Sequence, residues 1–318
     1  MTQSNLINEI LDAITITSPT TYLYDGIEYS NNADDSGSYF DLTDMIYHIF
    51  HCRNLLVHNS EEYTSNEELL ETFSQHNTGI GTWDIGWTIT GTYDGQLLVE
   101  KDGLVIWATP EEFMNLNDTQ EIGCEGLLFI QKEYRLLNSG FYMALSDATF
   151  SYQSPHVKIY WNIQIDAAAL LLYEITYRLN EKEIPFRFKI LNNKNSYPRS
   201  DAAVLYVDIE NIPHIQKSLC EIYNEVKEFL NPSTSLFAKR LAPGIGLAED
   251  VIDDEGFGYR TSRIIAESMI ECYRKQISIK REIRMEIDKV FKKRGLSLTC
   301  PYLNQDSINN YEQLSGFT

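Results

Sequence analysis

Cations and hydroxyls at alternate positions of two short segments are the residues best suited to chemistry. Lys158 and Tyr160 lie two apart in VKIYWNI, and Arg187 and Lys189 lie two apart in FRFKIL. Because strand side chains alternate between the two faces of a sheet, each pair shares the face opposite the apolar side chains of its segment. Two strands joined through a helix are often neighbours, which would merge both pairs into one anion-binding patch. The competing interpretation is an ordinary solvated sheet face.

Four further cations lie beside turns, where binding residues tend to collect. Arg199 precedes a strand in a loop rich in Asn and Ser. Lys239 precedes LAPGIGLAED, a turn whose backbone amides could approach a ligand closely. Arg260 and Arg263 are three apart at a predicted helix start, so they share a face near a helix terminus that favours anions. Each cation alone is typical of a surface, but together they predict an anion site in the C-terminal half.

The charge of the chain is divided unevenly between its halves. The net charge is −20, and residues 1–150 hold 24 acidic side chains against four basic ones, whereas residues 151–318 hold 22 of each. This division predicts two physically different regions, with any anionic substrate bound by the second. The pI of about 4.7 argues against binding of duplex nucleic acid.

Composition also limits the compartment and the cofactors. Five dispersed cysteines without a CxxC pattern are typical of reduced thiols, and neither a signal peptide nor an apolar run of about 20 residues is evident. The sequence therefore predicts a cytoplasmic protein without a membrane partner. His48, His51 and His58 lack the companions of a zinc pattern, and the glycine pairs lack a nucleotide-binding spacing, so we predict neither a metal nor a cofactor.

From Phe141 onward the chain resembles the HopA-type effector family. The stretches that carry the resemblance are FYMALSD, KIYWNI, IPFRFKIL, YPRSDAAVLYVD, FAKRLAPGIGLAED and EGFGYRTSRIIAES. This family includes a bacterial type III effector and the stand-alone lyase of class V lanthipeptide and thioamitide biosynthesis. The resemblance implies a lyase that eliminates phosphate from phosphoserine or phosphothreonine of a precursor peptide, leaving dehydroalanine or dehydrobutyrine. It implies two partners, the leader-core phosphopeptide and the kinase-like protein that phosphorylates it, and no cofactor.

A more distant resemblance, to effector phosphothreonine lyases, implies roles for individual residues. Those enzymes use a lysine base on one strand and a Lys-x-His motif on another, with phosphate held by the Lys and a proton donated by the His. Lys158-Ile159-Tyr160 fits that motif with Tyr as the donor, and Lys189 fits the base. A phenol is protonated at pH 7 and can donate, while a lysine crowded by cations has a depressed pKa. The expected phosphate ligands are Lys158, Arg187, Arg199, Lys239, Arg260 and Arg263.

The expected fold is α+β. Asp94-Gly95 and Lys101-Asp102-Gly103 separate short β-type runs and predict two hairpins. Residues 25–41 are predicted to form a polar loop, Asp166 to cap a helix, and the sequence after Gly258 to be helical up to about residue 294.

Residues 1–125 are predicted to form an acidic region of helices and β-hairpins that binds a basic partner or peptide, although its charge could serve solubility alone. Residues 126–318 are predicted to form a mixed α/β, lyase-like domain. The alternative function is a non-catalytic phosphopeptide-binding or effector-like interaction module, which would use the same cations without a base.

Overall fold

The computed structural model describes residues 6–30, 41–54, 66–115, 119–138, 140–151, 154–250 and 255–314. The α-helices within these ranges are α1 Leu6–Ala13, α2 Leu42–Ile46, α3 Glu67–His76, α4 Ala168–Asn180, α5 Ile212–Val226, α6 Phe257–Arg274 and α7 Lys280–Lys293. The strands are β1 Ile14–Ile16, β2 Thr21–Tyr24, β3 Ile27–Ser30, β4 Thr82–Tyr93, β5 Gln96–Lys101, β6 Leu104–Ala108, β7 Phe113–Met114, β8 Glu125–Ile130, β9 Glu133–Asn138, β10 Phe141–Leu145, β11 His156–Trp161, β12 Phe186–Leu191, β13 Ala203–Asp208, β14 Lys239–Ala242 and β15 Ile245–Glu249. The predicted α+β class is confirmed.

A seven-stranded sheet with the order β14-β15-β11-β13-β12-β10-β9 organises the C-terminal half. Every neighbouring pair in it is antiparallel. The apolar side chains predicted to share a face, such as Trp161 and Phe188, are fully buried in a core with α3, α4 and α5. Alternation along each strand therefore places Lys158, Arg187 and Lys189 on the opposite face.

That opposite face is covered in part by a second core. Tyr160, Val204 and Ala248 of the sheet pack there with α1, α2, α6 and α7. Helices from the first 50 residues therefore share a core with the C-terminal sheet and its helices. The predicted domain boundary at residue 125 stays a prediction.

A separate five-stranded sheet, with the order β6-β5-β4-β8-β7, forms from residues 82–130. Its two tight hairpins turn at Asp94-Gly95 and Asp102-Gly103, with positive φ at all four residues. Positive φ at both central positions is the backbone that Asp-Gly favours, which confirms both predicted hairpins.

Three local expectations differ from the structure. The predicted polar loop at 25–41 contains β3, which forms a hairpin with β2, and its residues 31–40 lie outside the described part of the chain. The expected helical tract up to residue 294 is two helices, because the chain leaves α6 at Gln276 with φ of 58°. Asp166 lies inside a 3-10 turn, and α4 begins after Ala167. In the described part of the chain, no helix has both the length and the apolarity required to cross a membrane.

Candidate functional site

Three cations surround the ring of Tyr206 on one face of the seven-stranded sheet. The distances from its ring centre are 5.5 Å to Nζ of Lys158, 5.1 Å to Cζ of Arg187 and 5.9 Å to Nζ of Lys189. We call these four residues the basic cluster. Positive groups over an aromatic face are attracted by its negative potential, which lowers the cost of placing three cations close together.

The strand order explains why Tyr206 lies among the cations. The sequence predicted that β11 and β12 are neighbours, and this is wrong, because β13 pairs with both. Tyr206 of β13 stands opposite Lys158 on one side and opposite Arg187 on the other. Three of the four residues of the predicted patch, Lys158, Arg187 and Lys189, therefore do lie together, and the intervening strand adds the phenol of Tyr206 among them.

Lys158 is buried and has an acidic partner. Its Nζ lies 2.6 Å from Oδ1 of Asp250, the residue that follows β15. Arg187 and Lys189 are more exposed, and each lies over a further aromatic ring. Cζ of Arg187 is 4.5 Å from the ring centre of Phe150, and Nζ of Lys189 is 4.4 Å from that of Phe141. The cluster thus presents two partly accessible cations and one that is held by a carboxylate.

Tyr160 shares the face of the basic cluster but lies beneath α6. The residue is 4% exposed, and its ring packs against the rings of His51 and Phe257. Burial raises the pKa of Tyr160 well above its usual value, with smaller contributions from Tyr206 and then from nearby carboxylates, and the charge of Arg260 opposes this. The phenol therefore keeps its proton at neutral pH, and Arg260 belongs to the electrostatic surroundings of the site.

Arg199 is buried in an ion pair. Its Nε and Nη2 donate to the two carboxylate oxygens of Asp201 at 2.9 and 3.0 Å, and Nη2 also lies 3.2 Å from Sγ of Cys52. Burial would raise the pKa of Asp201, but Arg199, with smaller contributions from His51 and then Lys189, holds it below its usual value. Lys189 of the basic cluster therefore acts on Asp201, and the guanidinium of Arg199 is paired with that carboxylate.

Two other predicted phosphate ligands lie elsewhere. Arg263 pairs with Glu255 at 2.6 Å and with Glu267 at 2.9 Å on the outside of α6. Lys239 lies on the edge strand β14, where it donates to the side chain of Asn309 and to the carbonyl of Tyr311. The structure brings neither residue to the basic cluster.

His156 and Asp208 were missed by the sequence analysis. Nε2 of His156 lies 3.0 Å from Oδ1 of Asp208, and both atoms are buried without a well-formed hydrogen bond among the described residues. The imidazole stacks on Phe150 at 4.5 Å, and burial lowers its pKa while Asp208 opposes the change. His156 precedes Lys158 by two residues, so the same alternation would have found it had the predicted strand begun one residue earlier.

The sequence profile of the HopA1 effector protein family matches residues 133–303, more than half of the chain. Among solved structures, the chain is similar to the effector protein from Pseudomonas syringae pv. tomato strain DC3000, with 15% identity, a TM-score of 0.50 and coverage of 83% of this chain and 90% of that one. For the effector protein from Pseudomonas syringae pv. syringae strain 61 the identity is 13%, the TM-score 0.46 and the coverage 82% and 88%. At 15% identity the likeness to the first of these structures shows the fold alone. No curated protein matches the sequence.

Proposed function

The chain belongs to the HopA1 effector protein family, and on this basis we propose that it is a carbon–oxygen lyase acting on phosphoserine or phosphothreonine of a ribosomally made precursor peptide. The observation that supports the proposal best is the basic cluster, in which Lys158, Arg187 and Lys189 surround one phenol on a rigid sheet. A phosphate dianion needs several cations, and elimination also needs a base beside them.

The proposed reaction is a β-elimination. Lys189, in its neutral form, takes the proton from Cα, and the freed electron pair forms the Cα–Cβ double bond. The Cβ–O bond breaks, and its electrons leave with phosphate, whose bridging oxygen receives a proton from an acid. Lys158 and Arg187 would hold the phosphate oxygens, with Arg260 adding positive charge from the start of α6. The products are dehydroalanine or dehydrobutyrine and inorganic phosphate.

Tyr160 is the proposed acid. It follows Lys158 by two residues on the same face, and because its pKa is raised it is protonated at neutral pH. His156 is the second candidate, since it lies on the same face and touches Phe150, the ring that Arg187 also contacts. A phosphate dianion bound by Arg187 would attract a proton to this imidazole and offset the effect of burial.

A peptide that carries one phosphothreonine distinguishes the lyase from the alternative function. Incubation with the full chain should reduce the mass of the peptide by one phosphoric acid, and a thiol added afterwards should couple to the new double bond. Removal of phosphate with gain of water would instead indicate a phosphatase. A control chain carrying Lys189→Ala should leave the peptide intact.

The second candidate function is a non-catalytic, effector-like module that binds phosphopeptides. The pairing of Lys158 with Asp250 and of Arg199 with Asp201 favours it, because a site with fewer accessible cations suits reversible binding. Binding of the same phosphopeptide, with no change in its mass after prolonged incubation, would support this function and contradict the lyase.

A further inference from the structure

A cleft of about 440 Å³ lies between the two large sheets, beside the basic cluster. One wall comes from the seven-stranded sheet through Tyr134, Met143 and Leu145. The other wall comes from the five-stranded sheet, whose Trp87 and Trp107 line the cleft. Cavities of this size bury one or two large side chains of a ligand.

Two polar residues that line the cleft, Asp84 and Ser146, already have hydrogen-bond partners. Asp84 accepts from Nε1 of Trp87 at 2.7 Å and from Nζ of Lys101 at 2.6 Å. The hydroxyl of Ser146 donates to the carbonyl of Ala148 and accepts from the backbone of β12. An apolar occupant would therefore leave these groups satisfied, and it would cover an indole that is 52% exposed at Trp107.

The cleft and the basic cluster lie side by side on the same face of the seven-stranded sheet. Leu145 and Met143 of β10 stand directly opposite Arg187 and Lys189 of β12. Arg187 also lines the cleft, and Phe150, which its guanidinium contacts, lines it as well. Arg187 is therefore common to the cluster and the cleft, so that a ligand held at the cluster lies next to the cleft.

We infer that this cleft binds an apolar, preferably aromatic, side chain of the phosphopeptide. This inference rests on the proposed function and specifies its substrate class. Neighbouring strands are about 4.8 Å apart and an extended peptide advances about 3.3 Å per residue, so the side chain lies two or three residues from the phosphorylated one. The cluster binds phosphate, and the cleft selects among phosphorylated sites.

A phenylalanine scan tests the inference. Glycine-rich peptides with one phosphothreonine carry a single Phe at each position from three before to three after it, and calorimetry measures their affinity for the full chain. Phe two or three residues away on one side should improve affinity about tenfold over the peptide without Phe. Trp107→Ala removes a wall of the cleft and Ala148→Phe fills it. In either variant the peptide with Phe should bind no more than about twofold more tightly than the peptide without Phe, and the affinity of the peptide without Phe should not change.

The control is Val105→Ala, an exposed residue of the same strand that does not line the cleft, which should keep the full gain. No gain at any position, or a gain that survives both cleft variants, would overturn the inference. Mass spectrometry of the same mixtures tests the proposed lyase function separately from the inference about the cleft. A gain in affinity without elimination of phosphate would reject the lyase function and support binding of the side chain in the cleft. Elimination without a position-dependent gain would support the lyase function and reject the inference about the cleft.

Discussion

Lys158 donates from the basic cluster to Asp250, with 2.6 Å between Nζ and Oδ1. The carboxylate of Asp250 is therefore already paired with the Lys158 ammonium that would bind phosphate in the proposed mechanism. Because Lys158 is buried, the attraction is screened less than at a surface, and an incoming phosphate must displace or share this partner. The relationship makes Asp250 a competitor for the anion site.

Removal of that competitor should strengthen phosphopeptide binding. Asp250→Asn keeps the shape of the side chain but loses its charge, and we expect affinity to rise about three- to tenfold. Lys158→Ala should weaken affinity by about 1.5–3 kcal/mol, the usual cost of a lost charge-assisted contact. Calorimetry with a phosphothreonine peptide measures both changes, and Asp12→Asn, which removes an exposed carboxylate paired with Lys280, is the control. Weaker binding by Asp250→Asn would mean that the carboxylate organises the site.

Lys189 should be required for elimination and much less for binding. Lys189→Ala and Lys189→Arg should each reduce kcat by a factor of about 100 or more, since neither side chain removes a proton at neutral pH. Phosphopeptide affinity should stay within several-fold, most closely for the arginine variant. Lys194→Ala, an exposed lysine just beyond the same strand, is the control. Turnover by Lys189→Arg near the unaltered rate would exclude Lys189 as the base.

Two substitutions decide which residue donates the proton to phosphate. Tyr160→Phe deletes only the hydroxyl, and we expect it to reduce kcat about 100-fold with little change in affinity. His156→Asn should reduce kcat by less than about tenfold. The reverse order in single-turnover rates would assign the acid to His156. Near-ultraviolet circular dichroism would verify that the buried Tyr160 site still packs.

Burial of His51 predicts that the protein loses stability on mild acidification. Desolvation lowers the pKa of His51 to about 4, and its Nδ1 lies 2.8 Å from Oγ of Ser235. In the unfolded chain the pKa is about 6.5, so between these values the unfolded state binds more protons and stability falls as pH falls. From pH 7.5 to 5.5 this residue should cost about 1 kcal/mol of unfolding free energy, and His156, whose pKa is also lowered, adds in the same direction.

Urea unfolding at the two pH values measures that loss. His51→Asn should reduce the difference between them, whatever it does to stability at pH 7.5. His76→Asn, at an exposed position at the end of α3, should leave the difference unchanged. A difference that His51→Asn does not alter would show that other groups carry the pH dependence.

Gly258 should tolerate no side chain because His51 lies against it. A Cβ at this position would come within 2.4 Å of the imidazole, and the ring is enclosed by Phe237 and Tyr160. Gly258→Ala should therefore destabilise the fold by about 1–3 kcal/mol, as overpacking of a core does. Gly256→Ala two residues away meets nothing within 4 Å and should cost less than about 1 kcal/mol. Equal thermal midpoints for the two variants would contradict this account.

The sequence could predict those features of the site that depend on local backbone geometry. Side chains in a strand alternate with a period of two, so the sharing of a face by Lys158 and Tyr160, and by Arg187 and Lys189, follows from spacing alone. The same holds for the Asp-Gly hairpins, whose turn geometry depends on the two residues themselves. These predictions are confirmed because no distant contact is needed to make them.

Tertiary structure alone decided which residues meet. Strand order is set by packing of the whole chain, and it placed Tyr206 between the two predicted pairs of residues. Ion pairing depends on where an opposite charge lies in the folded chain. Lys158 is paired with Asp250, and Arg199 is paired with Asp201. The cleft beside the basic cluster exists only because two sheets pack together, and no local pattern in either sheet encodes a space between them.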